Sequence, residues 1–325
     1  MCTCLTLKTD DFYFGRNLDL EYRFNESVVV TPRNYEFKLK NGDSFKTLYS
    51  IIGMATVMDD YPFYAEASNE EGLCMAGLYF PGNAFFFDPK ENKVNIAPFE
   101  LIPYFLGNYK SVKEIKKMIS DLNITNIAYC ENMPVTELHY MISDKDESIV
   151  IEQMKDGLHV YENKLGVLTN NPPFNYQLMN LNNYLNLSNR YPDNKFSDKL
   201  DLNPLGVGFG SIGLPGDNSP QSRFVRMTFN KFNSRCDGDL NSSVSQFFHL
   251  LDSVSMVQGT VITKANMEDI TTYSCCINVT KGIYFYKTYN NNQLTAIKLN
   301  KENMNNDKLS VYPLIEEQQI NYLNK

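Results

Sequence analysis

The chain begins MCTCLTLKTDDFYFGRNLD, residues 1–19, and its architecture turns on whether this stretch closes into a hairpin. CTCLTL (2–7) is short and β-compatible, FYFGRN (12–17) is a second such run, and the polar KTDD lies between them. Paired, the two runs carry Arg16 back beside Cys2. Methionine aminopeptidase trims Met1 when the next side chain is small, and trimming leaves Cys2 with both a thiol and a free α-amine. An unperturbed α-amine has a pKa of about 7.7–8.0, so at neutral pH it can take the thiol's proton directly or through water. Nucleophile and base then sit on one residue. Arg16 can stabilise the thiolate, and Asp19, three residues on, can hold the amine. Each feature also has an ordinary reading: Cys2 as a small buried hydrophobe, and Arg16–Asp19 as a surface ion pair of little energetic weight.

Outward from the hairpin, further strands are expected at 27–32, 49–57 and 73–80, with NGD at 41–43 as a hairpin tip. Helices follow at 97–108, interrupted by Pro103, and at 111–122, where Ser111 and Glu114 have capping-box spacing. Strands return at 138–143, 148–154, 158–162 and 166–170, and a helix is expected at 174–187. A helix at 219–232 has Ser219 as N-cap and Pro220 at its first position, and one at 243–254 repeats the capping-box spacing with Ser243 and Gln246. The chain closes with strands at 273–279, 282–289 and 294–299. Strands and helices in blocks, without βαβ alternation, predict an α+β fold with helices packed on antiparallel sheets. No linker, charge run or internal repeat divides the sequence, so residues 1–325 read as a single domain.

With 43% apolar and 13% aromatic residues, the chain can bury a substantial core. The net charge of -8, with Lys and Arg dispersed, excludes the basic stripe that a nucleic-acid partner needs. No apolar run has membrane-spanning length, and KTDD follows MCTCLTL too soon for a signal peptide, so a cytoplasmic protein with no membrane partner is expected. Seven cysteines at scattered positions make no disulfide framework; the pairs at 2–4 and 275–276 lack zinc spacing, and His139, His159 and His249 do not cluster, so no metal is expected. Gly208, Gly210 and Gly213 form G-x-G-x-x-G without the strand and helix of a nucleotide fingerprint, and read as a Gly-rich loop leading to an anion-favouring helix N-terminus. His249 lies in an apolar helical run and reads as a core residue with a satisfied ring rather than a partner for Cys2.

Several motifs in one order resemble the choloylglycine hydrolase family, the conjugated bile acid hydrolases and penicillin V acylases among the N-terminal nucleophile hydrolases. They are MCT at the start, FGRNLD at 14–19, TPRNY at 31–35, NEEGL and AGL within 69–78, VLTNNP at 167–172, GLPGD at 213–217, SRF at 222–224, SCC and KGIYFY within 274–286, and the tail VYPLIEEQQINY. The resemblance implies a four-layer αββα sandwich, with Cys2 as nucleophile and base, Arg16 and Asp19 as its partners, and Arg223 completing the polar network. It makes the Asn170 amide an oxyanion donor, a role worth about 2.7–4 kcal/mol in a comparable site. The second donor is the main-chain N–H of Tyr79, at a position where many bile salt hydrolases have Asn.

A main-chain donor survives that side-chain change; substrate choice is what Tyr79 opens. Penicillin V acylases resemble the Tyr version, whereas the last third of the chain resembles bile salt hydrolases of Gram-positive gut bacteria. The expected substrates are glycine- and taurine-conjugated bile acids. Loops after FGRNLD, around 58–67 and around 129–138 would line the steroid pocket, with Leu18, Met58, Ala65, Tyr129, Met133 and Leu138 as apolar candidates. The resemblance further implies no metal or organic cofactor and a homotetramer. A non-catalytic bile-acid-binding protein is the alternative of another class, but binding alone would not require Cys2, Arg16, Asp19, Asn170 and Arg223 together.

Overall fold

The computed structural model describes residues 1–324. The opening hairpin forms: Cys2–Lys8 and Phe12–Leu20 run antiparallel, with Cys2 opposite Leu18 and Cys4 opposite Arg16. They lie inside a six-stranded sheet ordered Val167–Leu168, Cys2–Lys8, Phe12–Leu20, Ile270–Asn278, Ile283–Thr288, Thr295–Lys298. Each pairing is antiparallel. Gly15 lets the central strands approach just before Arg16, since a Cβ there would fall 2.1 Å from the Cys275 carbonyl oxygen.

A second antiparallel sheet has eight strands in the order Gly157–Glu162, Ser148–Met154, Leu138–Ser143, Cys74–Tyr79, Tyr61–Asn69, Ile51–Met58, Ser27–Thr31, Ser310–Pro313. Its alternation separates two cores. Val28, Val30, Met141 and Val150 join Phe14, Cys275 and the helices Pro220–Asn233 and Leu240–Asp252 in one. Val29, Tyr140, Ile142 and Ile149 join the helices Leu101–Asn108 and Val112–Met118 in the other. The result is helix, sheet, sheet, helix: the α+β four-layer sandwich.

Several expectations need correction. Pro103 does not interrupt its helix, because a Pro98–Glu100 3₁₀ turn precedes Leu101–Asn108 and Pro103 falls in the first α-helical turn, where its N–H is not needed. Val112–Met118 is capped by the Ser111 hydroxyl, but Glu114 reaches the Lys110 N–H rather than completing the box, and Leu122 already begins a short strand. The α-helix at 174–187 shortens to Phe174–Asn180 before a 3₁₀ turn, and the strand at 166–170 to Val167–Leu168. Ser243 caps nothing: the helix begins at Leu240 and Asp239 Oδ1 accepts from the Asn241 and Ser242 N–H groups. His249 on that helix is exposed, not core, since Phe248 and Leu250 occupy the buried face. The segment read as a loop around 58–67 is mostly the strand Tyr61–Asn69, turned tightly by Asp59 and Asp60 at φ of 51° and 58°. No helix among the described residues is long and apolar enough to cross a membrane.

Candidate active site

Cys2 opens the first strand and is 3% exposed. Its main-chain N–H donates to Asn170 Oδ1 at 2.8 Å. Met1 continues the strand by one residue: its carbonyl accepts from the Asp19 N–H at 2.9 Å, and its ammonium donates to the Asp19 carbonyl at 2.5 Å and to Asp269 Oδ2 at 3.2 Å. The Cys2 nitrogen is therefore an amide in this form. Removal of Met1 would convert it to an amine with a hydrogen-bond acceptor already beside it.

Arg16 is fully buried and reaches from the six-stranded sheet into the eight-stranded one. The ladder between Tyr61–Asn69 and Cys74–Tyr79 ends at Glu66 opposite Ala76, and the guanidinium enters beyond that point. Nη1 donates to the Gly77 carbonyl at 2.6 Å and the Ala65 carbonyl at 3.2 Å, and Nε lies 3.7 Å from Glu66 Oε2. Nη2 has no hydrogen-bond partner among the described residues. Glu66 is buried too, held by the Tyr273 hydroxyl at 2.8 Å and the Tyr284 hydroxyl at 2.6 Å. Burial pushes the Glu66 carboxyl up, against the pull of Arg16. Burial also opposes the Arg16 charge, but the Cys2 thiolate and Glu66 outweigh it and raise its pKa.

On the other side stands Arg223, fully buried in the first turn of Pro220–Asn233, which Ser219 caps. Its Nη1 donates to the Cys2 carbonyl at 2.5 Å and Thr3 Oγ1 at 2.6 Å, Nη2 to Asn170 Oδ1 at 2.7 Å, and Nε to the Asn218 carbonyl at 3.1 Å. Asp19 Oδ2 lies 3.9 Å from Nη1 and accepts no hydrogen bond among the described residues, while Oδ1 accepts from Thr271 Oγ1 at 2.6 Å. Burial raises the Asp19 pKa, opposed by Arg223, the N-terminal ammonium and Thr271. Burial likewise lowers that of Arg223 against Asp19 and Cys2.

Asn170 Nδ2 donates one hydrogen to the Tyr79 carbonyl at 2.8 Å, which leaves its second free. Along a strand, residues two apart present their N–H and C=O to the same edge. Tyr79 therefore turns its N–H to the edge where the Gly77 carbonyl meets Arg16 and its own carbonyl meets Asn170. Two buried polar atoms of opposite character in this group, Arg16 Nη2 and Asp19 Oδ2, donate or accept no hydrogen bond among the described residues.

A model of linear amide C–N hydrolases, choloylglycine hydrolase family, matches residues 2–312. The chain belongs to the choloylglycine hydrolase family. The chain is 47% identical over 324 residues, with both chains fully covered, to a bile salt hydrolase/transferase of Lactiplantibacillus plantarum. A bile salt hydrolase/transferase of Clostridium perfringens is 42% identical over 331 residues, again with full coverage of both. The crystal structure of the C2A mutant of the Clostridium perfringens conjugated bile acid hydrolase superposes with a TM-score of 0.93 at 41% identity, covering each chain completely. A penicillin V acylase of Agrobacterium tumefaciens shares the fold at TM-score 0.74 and 18% identity, over 99% of this chain and all of that one.

Cys2, Arg223, Asp19, Asn170 and the Tyr79 main chain are joined by direct contacts, and Arg16 reaches the Gly77 carbonyl on the Tyr79 strand. Of the apolar candidates, Leu18 pairs with Cys2, Leu138 pairs with Tyr79, and the Ala65 carbonyl receives Arg16. Met58 ends a strand and Met133 closes a turn with Cys130. Tyr129 packs against Tyr61, Phe63 and Phe99 with Lys40 over its ring. None of these three contacts the polar group among the described contacts. Sequence reasoning missed Glu66, Thr271 and Asp269. The signal for Glu66 was a lone acidic residue inside an apolar run. Thr271 lies opposite Asp19 in register, a relation that only the strand pairing exposes.

Proposed function

We propose that the chain hydrolyses the amide bond of glycine- and taurine-conjugated bile acids, with Cys2 as nucleophile once Met1 is gone. The observation that carries this reading is the set of buried groups tied to Cys2: Asn170 Oδ1 accepts from its N–H, Arg223 holds its carbonyl and pairs with Asp19, and the Arg16 charge interacts with its sulfur. The names of the relatives supply the substrate class.

The α-amine takes the thiol proton, and the thiolate, near the buried Arg16 cation, attacks the amide carbonyl carbon. The free hydrogen of Asn170 Nδ2 and the Tyr79 N–H hold the oxyanion. The α-ammonium returns its proton to the leaving nitrogen as the C–N bond breaks, releasing glycine or taurine. Water, deprotonated by the amine, then opens the acyl-thioester and frees the bile acid. An amine in place of water would give transfer. Arg223 locks the Asn170 oxygen and the Cys2 carbonyl so that the Asn170 donor stays aimed. Residues 1–325 act as one catalytic unit in the cytoplasm. Exposed apolar side chains at Leu185, Phe196, Leu205 and Val207 support assembly into the tetramer, which a sizing measurement checks.

The test is turnover of glycocholate, taurocholate and penicillin V by the Met1-processed protein. Preference for the bile salts supports the proposal. Preference for penicillin V overturns it and makes Tyr79, 45% exposed beside the donors, the residue that decides the substrate.

A further inference from the structure

Two fully buried titratable residues, His139 and Glu152, take no part in the chemistry above. They lie one residue beyond the Tyr140–Ile151 pair that ends the ladder between their two strands, and His139 Nδ1 is 2.9 Å from Glu152 Oε1. The other ring nitrogen, Nε2, is 2.8 Å from the Thr169 carbonyl. A carbonyl can only accept, so Nε2 carries a proton, and a further proton lies between Nδ1 and Glu152 Oε1. Glu152 is fixed in turn by the Phe174 N–H, at 3.0 and 3.2 Å from its two oxygens. The imidazole also stacks on Phe80, with centroids 4.3 Å apart and planes within 5°. One ring thus touches the residue before Asn170 and the residue after Tyr79.

The segment that needs holding is short and irregular. The strand Val167–Leu168 stops just before Thr169, and no helix begins until Phe174. Side chains do the work that a ladder would: Thr169 Oγ1 donates to the Pro220 carbonyl at 2.9 Å, and Asn171 Nδ2 to the Pro81 carbonyl at 2.8 Å. The His139 bond is the one that fixes the carbonyl of the peptide linking Thr169 to Asn170.

We infer that His139, oriented by Glu152 and Phe80, is a positioning residue that aims the Asn170 amide through its hydrogen bond to the Thr169 carbonyl. The inference rests on the reading of Asn170 as an oxyanion donor. An ångström-scale misplacement of such a group can cost on the order of 10²-fold in rate, without any change in the nucleophile.

Two substitutions of like polarity separate the roles of the ring. His139→Gln keeps a donor near the Nε2 position, while His139→Asn keeps a group near Nδ1 and loses the reach to Thr169. Both are assayed as full-length, Met1-processed protein on glycocholate, beside Asn170→Ala and the His139→Asn/Asn170→Ala double variant. Alkylation of the N-terminal peptide by iodoacetamide, read by mass spectrometry, reports the Cys2 thiolate independently of the oxyanion site. The expected result is a kcat for His139→Asn lowered about 10- to 100-fold, with KM and Cys2 alkylation within about threefold of the parent. His139→Gln recovers most of that loss at a similar melting temperature. In the Asn170→Ala background, His139→Asn costs less than about threefold, because the group it aims is gone.

The proposal is overturned if His139→Asn equals or exceeds His139→Gln in kcat, or if its full loss persists in the Asn170→Ala background. It is also overturned if alkylation falls in parallel with kcat. An Asn170→Ala variant with parental kcat would instead remove the donor reading itself, and this result is distinguishable from the others.

Discussion

Asn170→Ala is the substitution whose cost divides most clearly between catalysis and stability. The side chain makes three contacts: Oδ1 accepts from the Cys2 N–H and from Arg223 Nη2, and Nδ2 donates to the Tyr79 carbonyl. Only the remaining hydrogen of Nδ2 is available to the oxyanion. Losing one such donor is worth about 2.7–4 kcal/mol at the transition state, so kcat should fall about 10²- to 10³-fold. Ground-state binding of the substrate does not use that hydrogen, and KM should stay within a few-fold. The folded state loses more than one bond, because Arg223 and the Tyr79 carbonyl are left with buried unsatisfied groups at about 1–3 kcal/mol each. Glycocholate hydrolysis gives kcat and KM, urea unfolding gives the stability, and Cys2 alkylation checks that the thiolate is intact. A kcat within about threefold of the parent, in a folded protein, would refute the oxyanion role of Asn170.

Thr271→Val removes the hydroxyl that donates to Asp19 Oδ1 and holds that carboxyl down against burial. The Asp19 pKa should then rise further, less of it is ionised at any acidic pH, and the acid limb of the kcat/KM profile moves to higher pH; Thr271→Ser keeps the limb in place. Arg223→Met leaves the buried Asp19 carboxylate without its cation and should cost about 3–5 kcal/mol in urea unfolding, whereas a loss below about 1 kcal/mol would contradict the network. In the folded chain Met1 is bound to the Phe12–Leu20 strand through its carbonyl and its ammonium. Folded protein that retains Met1 should therefore resist methionine aminopeptidase by intact mass, and the same chain in urea-swollen or unfolded form should lose Met1 to a protease that tolerates those conditions.

The hairpin that brings Arg16 to Cys2 was legible because both strands are short, local and joined through the polar KTDD. The Ser219 cap, and with it the placement of Arg223, was legible for the same reason: Ser219, Pro220 and the turn that follows are adjacent in sequence. What stayed hidden is what only non-local pairing creates. Thr271 meets Asp19 across 252 residues, and Glu66 meets Tyr284 across 218. The misplaced cap at Ser243 shows a local competition decided by a stronger acceptor, since Asp239 with Gly238 at φ 93° ends the preceding turn one helical turn earlier. The missed strand Tyr61–Asn69 carries Pro62 near its start and a register shift opposite Met54 and Ala55, and both blur the alternation that marks a strand. His249 read as core from its apolar neighbours, whereas the histidine that is buried, His139, sits in a strand with no local sign of its partners Glu152 and Thr169.

The most direct test of the account compares glycocholate turnover by two preparations of the same chain, one retaining Met1 and one beginning at Cys2, each verified by intact mass. The account predicts turnover and a mass increment of one cholyl group on Cys2 only in the processed form, because the base is the amine that Met1 removal creates. Equal turnover by the Met1-retaining form would contradict it.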